Sequence, residues 1–312
     1  MPNAAPAEQP FGAVHGSLGE AKGLAAGLPD LLIEARRVAA TVLSGWHGRR
    51  TSGRGETFWQ FRPFTTGEAA TQIDWRRSAR DDHLYVREKE WEAAHTVWLW
   101  VDLTQSMAFR SRLAAVTKRD RATVITLALA ETLGAAGERV GLLGRGEPIL
   151  ARNAAERIAE KLVHATPAPG LPDPGSLRRF SDLVMIGDFL DPIADLEAVL
   201  DRIVRSGVRA HLLQVVDPIE ETFPFAGRTE FLDPETGIRH VVGRAEQYRQ
   251  AYQARLAELR DRLSTLARRL DWTFLIHRTD RPATEPLLAL HARLTDRANR
   301  TGIDTFAGGR IA

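Results

Sequence analysis

Two acids, each at the end of an apolar run, carry most of the chemistry this sequence offers. Val97-Trp98-Leu99-Trp100-Val101 is short, β-branched and aromatic, and Asp102-Leu103-Thr104-Gln105-Ser106 follows it at once. Leu183 to Ile186 is a second wholly apolar run, and it stops at Gly187-Asp188. Runs of this kind predict strands buried on both faces of a parallel sheet. In such sheets ligands gather outside the carboxyl ends of the strands. A carboxylate with hydroxyls two and four residues later is a hard, all-oxygen donor set. It suits Mg²⁺ or Mn²⁺ and holds the ion weakly. If the two strands are neighbours, Asp102 and Asp188 approach each other, a divalent ion relieves their repulsion, and Thr104 and Ser106 complete the site. A humbler use is also open to both acids, since Asp in a strand-to-helix loop commonly caps the next helix.

Other chemistries find less support. The chain has 312 residues and no cysteine, which excludes disulfides, zinc–thiolate sites and thiol catalysis. Its 42 Lys and Arg nearly balance its 40 Asp and Glu, which argues against a dedicated nucleic-acid binder. The runs near Val97 and Ile125 are too short and too broken by charge to span a bilayer, and residues 1–29 lack a basic-then-apolar leader pattern. A cytoplasmic location is therefore expected. There is no G-x-x-x-x-G-K-[ST] loop and no G-x-S-x-G elbow. A phosphatase of haloacid-dehalogenase type built on Asp102 would need a second acid two residues on. Thr104 stands there and cannot exchange a proton near neutral pH. The nine histidines are scattered, and His277, inside an expected strand, reads as a core or edge residue.

The elements that must position the acids follow from periodicity. Residues 1–30 are small and polar and are expected to be poorly ordered. Leu31 to Leu43 has helical spacing. Glycines at 45, 48, 53 and 55 then mark an irregular stretch. From Thr57 to Glu92 aromatic and β-branched residues alternate with charges, which predicts short strands forming a β-arm. Beyond Asp102, Thr117 is an expected N-cap for a helix running to about Gly137. Val140–Leu143 and Ile149–Ala151 are expected to pair as a hairpin across Gly144-Arg145-Gly146. Asn153 with Glu156 resembles a capping box, and Asp191-Pro192 reads as an N-cap with proline at the first helical position. That helix stops at Gly207, and Val208 to Val216 is the next strand. Thr229 to Val242 suggests a surface hairpin around Asp233–Gly237. A stripe of Tyr248, Tyr252, Leu256, Leu259, Leu263, Leu266 and Leu270 predicts a long helix packed on one sheet face. A strand over Trp272–Ile276 and a helix capped by Thr284 close the domain. Strands alternating with helices imply an α/β fold with a doubly wound, mostly parallel sheet.

A resemblance rests on these residues. Asp102-Leu103-Thr104-Gln105-Ser106 resembles the D-x-S-x-S metal-ion-dependent adhesion motif of von Willebrand factor A domains, with Thr104 in place of the first serine and Asp188 matching the second acid. Upstream, Gly53-Arg54-Gly55-Glu56, Arg62-Pro63-Phe64, Gly67-Glu68, Ile73-Asp74-Trp75-Arg76, Ala79-Arg80 and Val86-Arg87-Glu88 resemble, in order, the signature of the domain of unknown function 58 family. Glu68 stands where that family usually has Asp. The third metal-motif threonine has only Thr166 as a candidate. The resemblance covers roughly residues 50–220. It implies a sheet of von Willebrand factor A type and a non-catalytic role beside MoxR-type AAA+ ATPases in maturing or remodelling a client protein. In such domains the metal keeps a position open for a partner's carboxylate.

The expectations are therefore an N-terminal segment (1–53), a β-arm (54–95), a von Willebrand A-like domain (96–300) and a tail (301–312). Weakly bound Mg²⁺ or Mn²⁺ is expected at Asp102, Thr104, Ser106, Asp188 and Thr166. Arg62, Trp75, Arg76, Arg80 and Arg87 are candidates for partner contact. Tryptophans interleave with these arginines as in nucleic-acid binders. The acids in the same stretch favour ion pairing and docking instead, and no nucleic-acid partner is expected. The alternative function is a metal-dependent hydrolase using Asp102 and Asp188.

Overall fold

The computed structural model describes residues 17–46, 58–65, 68–80, 82–89, 95–164 and 170–304. The chain divides into two compact units, residues 45–94 and the remainder.

The remainder opens with helix α1 (Ser17–Trp46), which corrects the expectation of a poorly ordered stretch up to residue 30. Alanine and leucine are good helix formers even in a small-residue sequence. Burial of Leu28, Ala35, Val38, Ala39 and Val42 fixes the helix. Pro29 lies inside it, exposed, where one main-chain hydrogen bond is forfeited.

In residues 45–94, strands β1 (Phe58–Pro63) and β2 (Tyr85–Lys89) pair antiparallel, Arg62 opposite Val86 and Pro63 opposite Tyr85. The strand reading fails between them. Trp75 begins a four-residue helix, α2 (Trp75–Ser78), because the Asp74 carboxylate caps it by accepting from Arg77 N at 3.0 Å. Trp75 is exposed, and the Arg77 guanidinium lies 4.4 Å from the Tyr85 ring centroid.

The larger unit is built on a five-stranded parallel sheet. Along the chain come β3 (Thr96–Val101), α3 (Lys118–Ala135), β4 (Arg139–Leu142), α4 (Ala154–Val163), β5 (Asp182–Gly187), α5 (Ile193–Ser206) and β6 (Arg209–Val216). A short helix α6 (Pro218–Thr222) and the hairpin β7 (Thr229–Leu232)–β8 (Arg239–Val242) follow. Helix α7 (Arg249–Arg269), β9 (Thr273–Arg278) and α8 (Thr284–Asp304) complete the unit. The strand order is β4-β3-β5-β6-β9, every neighbouring pair parallel.

Alternation along each strand sorts the core into two layers. Val97, Leu99, Val101, Val184, Ile186, Leu213 and Val215 face α1, α3, α4 and α8. Trp98, Leu183, Met185, Ala210 and Leu212 face α5 and α7. Both sheet faces are covered, which is why the strands read as unbroken apolar runs. Two close approaches need glycine. A Cβ on Gly141 would lie 2.7 Å from the Trp98 ring, and one on Gly134 would lie 2.7 Å from the Ala151 carbonyl oxygen.

Several local expectations are corrected. Ile149 makes a single antiparallel bridge to Val140 instead of a strand. Asn153 does not bond the α4 N-terminus with its side chain. The α5 N-cap is Pro192, so Asp191 lies one residue outside the cap. Thr284 is the first residue of α8 rather than its cap. Thr117 does cap α3, accepting from Asp120 N, and Gly207 ends α5 with a left-handed φ of 71°.

His277, on the edge strand β9, is 3% exposed, and its Nε2 is buried without a hydrogen-bond partner. Burial, and then the Arg121 charge, push its pKa down from 6.5 to about 4. The unfolded ring takes a proton near pH 6.5 while the folded ring resists. The associated stability is therefore complete above that pH and is lost as pH falls towards 4. We expect up to roughly 3 kcal/mol to disappear over that window. Urea unfolding of the wild type and of His277→Phe across the window checks it; equal pH slopes in the two proteins would refute it.

Candidate functional site

The strand order reverses between β3 and β5. Two outgoing chains there leave in opposite directions and open a crevice at the carboxyl ends of the strands. Asp102 and Asp188 terminate those two strands. Val101 pairs with Ile186, and Asp102 N donates to the Ile186 carbonyl at 2.8 Å. Gly187 permits the approach, since a Cβ there would lie 3.0 Å from Asp102 Cβ and 3.2 Å from Trp100 Cζ3. Phe189, immediately after Asp188, is buried with φ 54°. That conformation costs a non-glycine residue about 1–2 kcal/mol. Burial of the ring in the second core layer offsets it.

Both acids are buried, Asp102 5% and Asp188 2% exposed. The Asp102 carboxylate accepts from Thr104 N at 2.8 Å, the local turn that short polar side chains make with their own backbone. Thr104 Oγ1 and Ser106 Oγ lie 3.1 Å apart, and Ser106 Oγ donates to Asp188 Oδ2 at 2.8 Å. The hydroxyls thus lie in a chain between the two carboxylates. Gln214 Nε2 donates to the Asp188 carbonyl, and Leu190 N to Asp188 Oδ1.

Two members of the site went unrecognised in the sequence. Lys118 Nζ donates to Asp188 Oδ2 at 2.9 Å and to Glu220 Oε1 at 2.6 Å, with its side chain 1% exposed. Glu220 in turn accepts from Asp217 N as one half of the capping box of α6, while Asp217 accepts from Ile219 N and Ser111 N. Burial disfavours the Lys118 charge, but Asp188 and Glu220 together hold its pKa above the usual lysine value. The signal was present. Lys118 is the first residue of α3, where the helix dipole disfavours a cation. A lysine there needs carboxylates in front of it.

Asp188 and Glu220 share this one ammonium, and Asp102 beside them has no cationic partner among the described contacts, so negative charge is left over. Burial and then the Asp188 charge push the Asp102 pKa up to about 6. Asp191, half-buried nearby, is raised by the same two causes. Among the described residues no three acid, histidine or cysteine side chains converge as a metal cluster. An ion would lean on hydroxyls and water. Asp102, Thr104 and Ser106 fit a hard cation of that weakly held kind, with Asp188 behind. Thr166 lies outside the described residues, as do Gly53-Arg54-Gly55-Glu56 and Gly67.

In the 45–94 unit the candidate contact residues divide. Arg62 is committed to Glu68, donating to Oε2 at 2.9 Å, and this contact holds the Glu68 carboxyl below its usual range. Trp75, Arg76 and Arg80 are exposed. Arg87 lies in β2 opposite Phe61.

These features define a parallel α/β protein with an acid–hydroxyl site at the point where its strand order reverses. The family model described as protein of unknown function DUF58 matches residues 60–262, and the chain belongs to that family. Uncharacterized protein Rv1480 of Mycobacterium tuberculosis and uncharacterized protein Mb1516 of Mycobacterium bovis are each 28% identical to it over 232 residues, 69% of this chain and 72% of theirs. Two solved structures are similar at a level that carries no argument. BatB of Bacteroides thetaiotaomicron has 11% identity and a TM-score of 0.39, over 66% of this chain and all of that one. An aerotolerance-related membrane protein of Bacteroides fragilis has 14% identity and a TM-score of 0.40, over 65% of this chain and all of that one. No helix among the described residues is long and apolar enough to cross a membrane.

Proposed function

We propose that this chain is a non-catalytic, cytoplasmic adaptor of von Willebrand A type. In this reading it binds a MoxR-type AAA+ ATPase and a client protein through the rim at Asp102 and Asp188, and Mg²⁺ or Mn²⁺ strengthens the contact. The observation that supports the reading best is the pair of hydroxyls, Thr104 and Ser106, between two strand-end carboxylates. Hydroxyl ligands leave an ion underneutralised, and a bound ion would offer an exchangeable water position to a partner's carboxylate. Without the ion, the same carboxylate meets Asp102 and Asp188 and is repelled. The acid/base partner two residues beyond Asp102 that a haloacid-dehalogenase-type phosphatase needs is replaced by Thr104.

The test is the affinity of the chain for a purified MoxR-type AAA+ ATPase from the same cells, with Mg²⁺ and with chelator, in wild type and Ser106→Ala. Chelation and the substitution are each expected to cost roughly 1.5–3 kcal/mol, the scale of a charge-assisted contact. The two losses should not add, because they act on one site. Full-strength binding under both conditions would move the contact away from this rim.

A further inference from the structure

We propose that Lys118 is the built-in cation of this site: its ammonium, bridging Asp188 and Glu220, keeps the rim assembled without a divalent ion and confines any metal to the Asp102 side. The proposal rests on reading the rim as a cation site and adds which part of it a metal can reach.

The geometry carries it. Asp188 Oδ2 already accepts from Lys118 Nζ at 2.9 Å and from Ser106 Oγ at 2.8 Å, and Oδ1 accepts from Leu190 N. A divalent ion bound directly to Oδ2 would stand against an ammonium and displace two donors. Lys118 cannot swing out to make room. Its side chain is 1% exposed, its backbone is the first turn of α3, and its second partner is locked in turn. Glu220 is fixed by the Asp217 N–H, and Asp217 by the Ser111 and Ile219 N–H groups. One side chain thus ties the end of β5 to the start of α6 and to the start of α3. A metal would otherwise be needed for that work, because Asp188 and Glu220 repel each other when nothing positive lies between them.

The test uses the full chain without a partner. Thermal unfolding is followed with chelator and with Mn²⁺, and Mn²⁺ binding is read from the spin-resonance signal of the free ion. Wild type is expected to melt in chelator no more than about a degree below its melt at a Mn²⁺ concentration near its dissociation constant, the shift that weak binding alone produces. Lys118→Ala should melt lower, regain part of the loss in Mn²⁺ but not in NaCl of equal ionic strength, and bind Mn²⁺ at least about tenfold more tightly than wild type, as expected when a neighbouring positive charge is removed. Lys118→Arg should bind Mn²⁺ as wild type does. A Lys118→Ala chain that binds Mn²⁺ no better than wild type would overturn the proposal. So would a wild-type chain that melts several degrees lower on chelation under the same conditions, a result that needs no variant to fold. Success here combined with a partner contact indifferent to chelation would keep the built-in cation and remove the metal from the adaptor reading.

Discussion

Asp188→Ala is expected to lower the unfolding free energy by about 3–5 kcal/mol, the cost of leaving a buried charge without its partner. The substitution strips Lys118 of one of its two carboxylates, orphans Leu190 N and leaves Ser106 Oγ with Thr104 Oγ1 as its remaining partner. Asp188→Asn keeps the shape and an acceptor oxygen, so its cost should fall between wild type and alanine. Adding Lys118→Met to Asp188→Ala should recover part of the loss, since the uncompensated ammonium goes with it. Urea unfolding of the four proteins reads all of this. A loss under about 1 kcal/mol for Asp188→Ala would mean that the bridge is no stronger than a surface ion pair.

Trp98→Ala should cost about 3–5 kcal/mol, as expected for a large aromatic removed from a packed layer. The more telling result concerns its neighbour on β4. Gly141→Ala in the wild-type background should cost about 1–3 kcal/mol, because its Cβ would be forced to 2.7 Å from the Trp98 ring. In the Trp98→Ala background the three atoms nearest to that Cβ are gone. The same change should then be neutral or stabilising, since alanine replaces glycine in a strand. Additive losses would show that the two residues do not share this contact in solution.

Much of the scaffold was legible because it follows from period. Apolar runs bounded by Asp102 and Asp188 mark strands buried on both faces, and burial on both faces requires the parallel sheet that was found. Thr117 and Gly207 announced helix ends through cap chemistry that depends on a few neighbouring residues. Asn153 and Asp191 carried the same local signal without making the bond: Asn153 stands at the α4 N-cap with a backbone outside the extended region (φ −94°, ψ 38°), and Asp191 lies one residue before the α5 cap. Within α1, Leu31 to Leu43 was legible from its helical spacing, whereas the stretch from Ser17 to Asp30 was hidden by its small residues and by Pro29. At the site, Asp102, Thr104, Ser106 and Asp188 were legible as strand-end acids with nearby hydroxyls. Lys118 and Glu220 were not singled out, although a cation at a helix start and an Asp-Pro-x-Glu run after β6 each hinted at a partner. Joining the two required the fold, since they belong to elements far apart in sequence.

The order of the strands also sets a schedule. β3 is made before any other strand of the sheet, yet it ends between β4 and β5, both made later. Val97 cannot find Asp182 until the chain has been extended past α4, and the site is incomplete until Glu220 has followed. Throughout that interval Leu99 and Trp98 have no lasting cover on one side. Long-range parallel pairing of this kind is slow to form and exposes apolar edges while it waits. During synthesis, Lys118 therefore waits for both of its acids while only the edge strand β9 is still to come, and a ribosome that stalls before residue 220 holds a chain with four strands of the sheet begun and its charge bridge incomplete.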